Sequence, residues 1–253
     1  MFSLYKKEIN RFFSSFTGYL VISVFLLING FSMWIIPGET LIAKFNIGLF
    51  NILDRGYASI DVLFTIAPWV FLFLIPATTM LMFAEEKKSG TLDLLLTRPL
   101  NDLHIILAKY FATLTLAVFA LLPCLIYFIS VYLLGNPVGN IDTGGTLGSF
   151  TGLFFLAAAY VSFGIFASSI TDNMIISFII AASLSFFFFI GLEFISRINI
   201  FYRIDTFILG LGINEHYKSI SRGVIDTRDV VYFLALISIF ILITKTKLQS
   251  RHW

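Results

Sequence analysis

Six apolar runs organise this sequence: residues 19–36, 62–84, 109–134, 147–170, 174–192 and 230–244. Each is near the ~20 residues a helix needs to cross the hydrocarbon core of a bilayer. Inside lipid every backbone N–H and C=O has to find its partner within the protein, and for uninterrupted apolar runs the helix is the solution. The runs therefore predict an all-α polytopic membrane protein with six transmembrane helices. Composition agrees. Of 253 residues 58% are apolar and 13% charged, whereas a soluble domain carries about 25% charged residues. Mean hydropathy is +0.92. A net charge of +2 is too small to recruit nucleic acid. The lipid bilayer is the expected surrounding. The first run is too long for the apolar core of a signal peptide and lacks a small-x-small cleavage site, so it is expected to stay as the first span.

Punctuation within and between the runs predicts their shapes. Pro37-Gly38 ends the first run, Pro68 and Pro76 predict a kinked second helix, and Pro123 marks a kink site in the third. Thr171-Asp172-Asn173 is a tight turn that folds the fourth and fifth runs into an antiparallel hairpin. The last run is short and borrows its first turn from the preceding loop, capped by Asp226 or Thr227 with Asp229 in the first turn. Gly148 with Gly152, and Gly164 with Ser168, are small residues four apart and read as internal helix packing. Cys124 lies in an apolar run and reads as packing.

Two polar stretches break this pattern. Phe2, Tyr5, Ile9, Phe12 and Phe16 recur at helical spacing, with Lys6, Lys7, Glu8 and Arg11 on the other face. Residues 1–17 are thus expected to form an interfacial helix, aromatics toward lipid and bases toward anionic headgroups. Between the second and third runs stands Glu85-Glu86-Lys87-Lys88-Ser89-Gly90-Thr91-Leu92-Asp93-Leu94-Leu95-Leu96-Thr97-Arg98-Pro99. Its four charges predict a solvated knuckle just outside the bilayer. Gly90 ends the emerging helix, and Thr91 can cap a new short one with Asp93 in its first turn. Leu92, Leu95 and Leu96 then share a face, and Pro99 stops the element. Amphipathicity alone leaves that face free to rest on headgroups or to fill a protein groove.

Charge sets the expected orientation. With both termini inside, Lys and Arg number ten on the inner side, counting Lys109 at the edge of the third run, and seven on the outer side, and most of the outer ones lie in the longest loop, where the rule weakens. Both termini and residues 85–100 are read as cytoplasmic. The outer segment 193–229 is too apolar for free solution and too often interrupted by charge for a full span. It reads as two half-helices that dip into the membrane and return, or as one amphipathic helix lying on the surface. Glu193, at a span end, is the one intramembrane ionisable candidate that stands out.

No G-x-x-x-x-G-K-[ST] and no H-E-x-x-H is present. His104, His216 and His252 are scattered and suggest no metal set. The expectation is a non-catalytic chain with no cofactor of its own.

The 85–99 string, read as E-E-K-K-x-G-T-L-D-L-L-L-T-x-P, resembles the first cytoplasmic loop of ABC-2 type transporter permeases. Within that family the likeness is to the gliding-motility-associated permease of the F type. It extends to Lys6-Lys7-Glu8-Ile9-Asn10, to Gly135-Asn136-Pro137-Val138-Gly139-Asn140-Ile141-Asp142 and to Ser221-Arg222-Gly223-Val224-Ile225-Asp226. The resemblance implies a single ABC-2 type transmembrane domain over residues 1–253. It implies that the loop carries a coupling helix docking on a separate ABC ATPase subunit, which binds ATP and Mg. The docking residues are then Glu85, Glu86, Lys87, Lys88, Gly90, Thr91, Leu92, Asp93, Leu95, Leu96 and Pro99. It further implies re-entrant helices before the last span, a second permease copy or paralogue, a large companion membrane protein, and location in the inner membrane. The competing class is a non-transporting scaffold or mechanotransmitter of a motility or secretion machine.

Overall fold

A computed structural model describes residues 1–35, 52, 59–91, 101–197 and 205–250. Among them the elements are helical: α1 (Phe2–Ser14), α2 (Phe16–Trp34), α3 (Asp61–Thr79), α4 (Ala84–Lys88), α5 (Asp102–Leu121), α6 (Cys124–Leu134), α7 (Thr143–Ile170), α8 (Met174–Phe186), a π-helical segment (Phe187–Gly191), α9 (Leu192–Ser196), α10 (Asp205–Leu209), α11 (Ile213–Ser221) and α12 (Thr227–Gln249). Among the described residues five stretches are long and apolar enough to cross a membrane: Asp61–Lys88, Asp102–Leu134, Thr143–Ile170, Met174–Ser196 and Thr227–Gln249. A sixth is reached if α1 and α2, bent by 65° where they meet, count as one. The second of the five, which corresponds to the expected third run, starts at Asp102, seven residues before the expected 109, so Lys109 lies about two turns inside the helix. The last helix exceeds the expected 230–244 at both ends.

Short polar side chains start four of the long helices. Asn101, Asp142, Asn173 and Asp226 each accept a hydrogen bond from a backbone N–H of the first turn, at 3.3, 3.0, 2.9 and 3.0 Å. Each satisfies a donor that the helix itself cannot.

The bundle is organised around α7, which packs against α3, α5, α8, α11 and α12. Its small residues permit this. A methyl at Gly164 would overlap the Thr79 hydroxyl of α3, and one at Gly148 would sit 2.6 Å from the Gly223 Cα and the Ile220 carbonyl. Both small-residue pairs therefore serve packing within the chain. Aromatic rings fill the seams: Phe25 stacks on Phe71 at 4.5 Å, and Phe163 meets Phe240 at 4.6 Å and Phe188 at 5.1 Å. Apolar side chains such as Leu27, Ile126, Ile179 and Leu242 point outward, as lipid-facing helices require.

The helix α3 continues through Pro68 and Pro76, whereas Pro123 coincides with the break between α5 and α6. Proline lacks an N–H, so Pro68 leaves the carbonyl of Phe64 without its helical donor. The Tyr217 hydroxyl of α11 donates to that carbonyl at 2.6 Å. Ile213, Tyr217 and Ile220 form the buried face of α11, and Tyr217 lies against Gly152, about 13 Å along the axis of α7 from its start. Residues 198–204, the middle of the expected outer segment, lie outside the described residues.

Candidate coupling site

At the end of the bundle where α3 gives way to residues 85–101, charged side chains from three elements converge. Lys109 of α5 has no exposed surface. Its ammonium sits 3.1 Å from Glu8 Oε1 of α1 and 2.9 Å from Glu86 Oε1 of α4, and it donates to the Met82 carbonyl at 2.7 Å. The Phe83 ring lies 5.1 Å away, within cation–π range. Arg11 pairs with Glu85 and approaches Glu8 Oε2 at 3.9 Å. Lys87 donates to the Ser169 carbonyl in the last turn of α7, where free carbonyls favour a cation. Three acids (Glu8, Glu85, Glu86) face three bases (Arg11, Lys87, Lys109), so the node is neutral as a set. A buried charge without its partner is costly, so the three helices hold together or not at all.

Ser168 of α7 completes the joint. Its hydroxyl accepts from the backbone N–H groups of Phe83 and Ala84 at 2.8 and 3.0 Å, satisfying two donors exposed by the turn between α3 and α4. Then α4 ends at Lys88, and Gly90, two residues on, has a φ of +68°, a left-handed conformation favouring glycine. Thr91 folds back onto this end, its hydroxyl 2.8 Å from Ser89 Oγ and 3.4 Å from the Glu86 carbonyl. Residues 92–100 lie outside the described residues, and with them Leu92, Asp93, Leu95, Leu96 and Pro99.

A profile of the ABC-2 family transporter proteins matches residues 36–244. The chain belongs to the ABC-2 transporter family. No curated protein matches it. With five to six helices apolar enough to span, this ABC-2 protein is a multi-pass membrane permease subunit of the ABC type, a class that partners an ABC ATPase subunit.

The permease corrects several expectations. The charges at 85–88 do not form a solvated knuckle: Glu86 is buried, Glu85 and Lys87 are half-buried and partnered, and Lys88 alone of the four is exposed. The helix α1 buries Leu4, Glu8 and Phe12 within the bundle, although the aromatic series was expected to face lipid. Of that series Phe2 and Phe16 are exposed, Phe12 is buried, Ile9 is half-buried, and the Tyr5 hydroxyl bonds Thr115 Oγ1 at 2.9 Å. Lys6 and Lys7 are exposed as expected, but Glu8, assigned to the same polar face, turns inward because Lys109 needs a counter-charge. Glu193 is also not the sole ionisable group of note. It binds Arg197 at 2.6 Å and Asn214 at 2.9 Å near a helix end, while Glu8, Glu86, Lys109 and Asp229 are more deeply buried. The signal for Lys109 was a base set between Ile-Ile-Leu-Ala and Tyr-Phe, a context that demands partners.

At the opposite end of α3 a cavity of about 490 Å³ opens among α3, α11 and the π-helical segment, with Asp61, Trp69, Phe189, Asn214, Tyr217 and Lys218 in its wall. Among the described residues no three His, Cys, Asp or Glu side chains gather as a metal site would need.

Proposed function

We propose that this permease couples ATP hydrolysis on a separate ATPase subunit to substrate movement across the inner membrane, in a gliding-motility-associated system. The observation that carries the reading is the neutral ion node at the root of the 85–99 loop, joining α1, α4 and α5 and anchored on α7. A loop pushed by an ATPase would otherwise bend locally. Rooted in this joint, a displacement at residues 91–97 moves α3, α5 and the N-terminal helix together. The leucine face of Leu92, Leu95 and Leu96 docks in a groove of the ATPase, because so short a helix has marginal stability alone. Asp93, Glu85 and Glu86 also suit a protein partner better than anionic headgroups. Both termini and this loop are cytoplasmic, from the basic flanks. Residues 193–229 re-enter the membrane from the outer side, a reading supported by the depth at which Tyr217 meets Gly152 and Phe64. A second copy or paralogue completes the path, and the motility likeness adds a large companion membrane protein.

The test is co-purification of the ATPase subunit with wild type and Leu95→Asp at matched membrane levels. The variant inserts normally but loses the ATPase, since a charge in an apolar groove costs several kcal/mol. Gly90→Pro acts in the same direction by forbidding the left-handed exit from α4. Equal recovery with Leu95→Asp would assign the leucines to lipid.

A further inference from the structure

His216 of α11 is held through both ring nitrogens. Its Nδ1 lies 2.7 Å from Asp229 Oδ1 in the first turn of α12, and its Nε2 lies 2.9 Å from the Gly210 carbonyl. The ring stacks on Tyr232, one turn further along α12, at 3.9 Å and 18°. The Tyr232 hydroxyl donates to the Leu211 carbonyl at 2.6 Å, fixing the same turn. A carbonyl only accepts, and so does an ionised carboxylate. A neutral imidazole offers one N–H and cannot serve both. The array is satisfied only with two protons, as imidazolium beside carboxylate or as imidazole beside carboxylic acid. Asp229 is buried and its Oδ2 has no partner, so a bare carboxylate there depends on the proton it faces.

Of the other elements against α11, α3 brings Asp61, which shares the cavity wall with Asn214, Tyr217 and Lys218. Neither Thr143–Ile170 nor Phe187–Gly191 contains Asp, Glu, Lys, Arg or His. Glu193 reaches α11 through Asn214 and Lys218, and Glu215 is exposed, as are Asp226 and Arg228 at the start of α12.

We propose that His216 and Asp229 form a proton-binding clasp that holds α11 and its leading turn onto α12 and opens when the second proton leaves. On deprotonation Nε2 presents a lone pair to the Gly210 carbonyl, and that contact becomes repulsive. Because Asn214, Tyr217 and Lys218 of α11 wall the cavity beside α3, the clasp sets how firmly that wall is closed. The closed form belongs to low pH and the loosened form to high pH.

Amide hydrogen exchange of the full-length permease in lipid nanodiscs, corrected for intrinsic rates, tests this over a pH series from about 5 to 8. Residues 210–217 of wild type are expected to lose protection on the order of tenfold as pH rises, the scale of one charge-assisted hydrogen bond, while α8 stays unchanged. Asp229→Asn is the deciding variant. Its amide donates to Nδ1 while Nε2–H serves Gly210, so the clasp is satisfied without the second proton. It should remain protected with no pH step, whereas His216→Phe should be unprotected throughout. A flat wild-type profile, a pH step surviving in Asp229→Asn, or Asp229→Asn as unprotected as His216→Phe would each overturn the clasp.

Discussion

A lysine two turns inside an apolar helix has no water to hold its charge, and burying it alone is prohibitive. Lys109 solves this by drawing Glu8 and Glu86 from two other elements. Lys109→Met leaves two buried carboxylates facing each other and should destabilise the permease by about 3–5 kcal/mol. Adding Glu8→Gln and Glu86→Gln removes the buried charges around Lys109 together and should recover most of that loss. Equilibrium unfolding of the two variants in one detergent compares them, and equal stability of single and triple variants would show that the node contributes nothing as a unit. Tyr217 is the second such residue. Tyr217→Phe strands the carbonyl that Pro68 has already freed at Phe64, at a cost of about 1–3 kcal/mol. The expected readout is faster hydrogen exchange in α11 with α8 unchanged.

At the scale of elements, α7 acts as the post on which the others are mounted, because its glycines, alanines and serines let helices approach closely. Gly164→Val drives a branched side chain into Thr79 of α3, and overpacking of this kind costs about 1–3 kcal/mol. The α3–α4 turn hangs from the same helix through Ser168. Ser168→Ala leaves the N–H groups of Phe83 and Ala84 without a partner, so their amides should exchange faster than in wild type while Gly164→Val also lowers the unfolding midpoint. Unchanged exchange at Phe83 and Ala84 would mean that the turn is held by the ion node alone.

For the whole molecule the expected arrangement places Ser89 and Asn140 on opposite sides of the membrane. Both are exposed, and the native thiol, Cys124, is buried, so single cysteines in a Cys124→Ala background report cleanly. Asn140→Cys should react with an impermeant thiol reagent in intact cells, and Ser89→Cys only after the membrane is opened. Reaction of Ser89→Cys from outside would invert the topology and detach the 85–99 loop from any cytoplasmic ATPase.

Helical class and the apolar segments were legible in the residues, because lipid leaves the backbone one local solution; of the span caps only that of the last helix was read, although an Asx cap acts within three residues of itself. Asp226 before the last helix and the small residues of 148–168 could be read in the same way. The partners of charge could not. Glu8 looked like one of several polar residues on an interfacial face, Lys109 like a flanking base and His216 like a scattered histidine, since each meets its partner on another element: Glu8 and Lys109 lie 101 residues apart, His216 and Asp229 thirteen. Local chemistry is written in neighbouring residues and depends on nothing else. Which buried charge finds which counter-charge depends on how helices distant in sequence pack, and only the tertiary structure decides that.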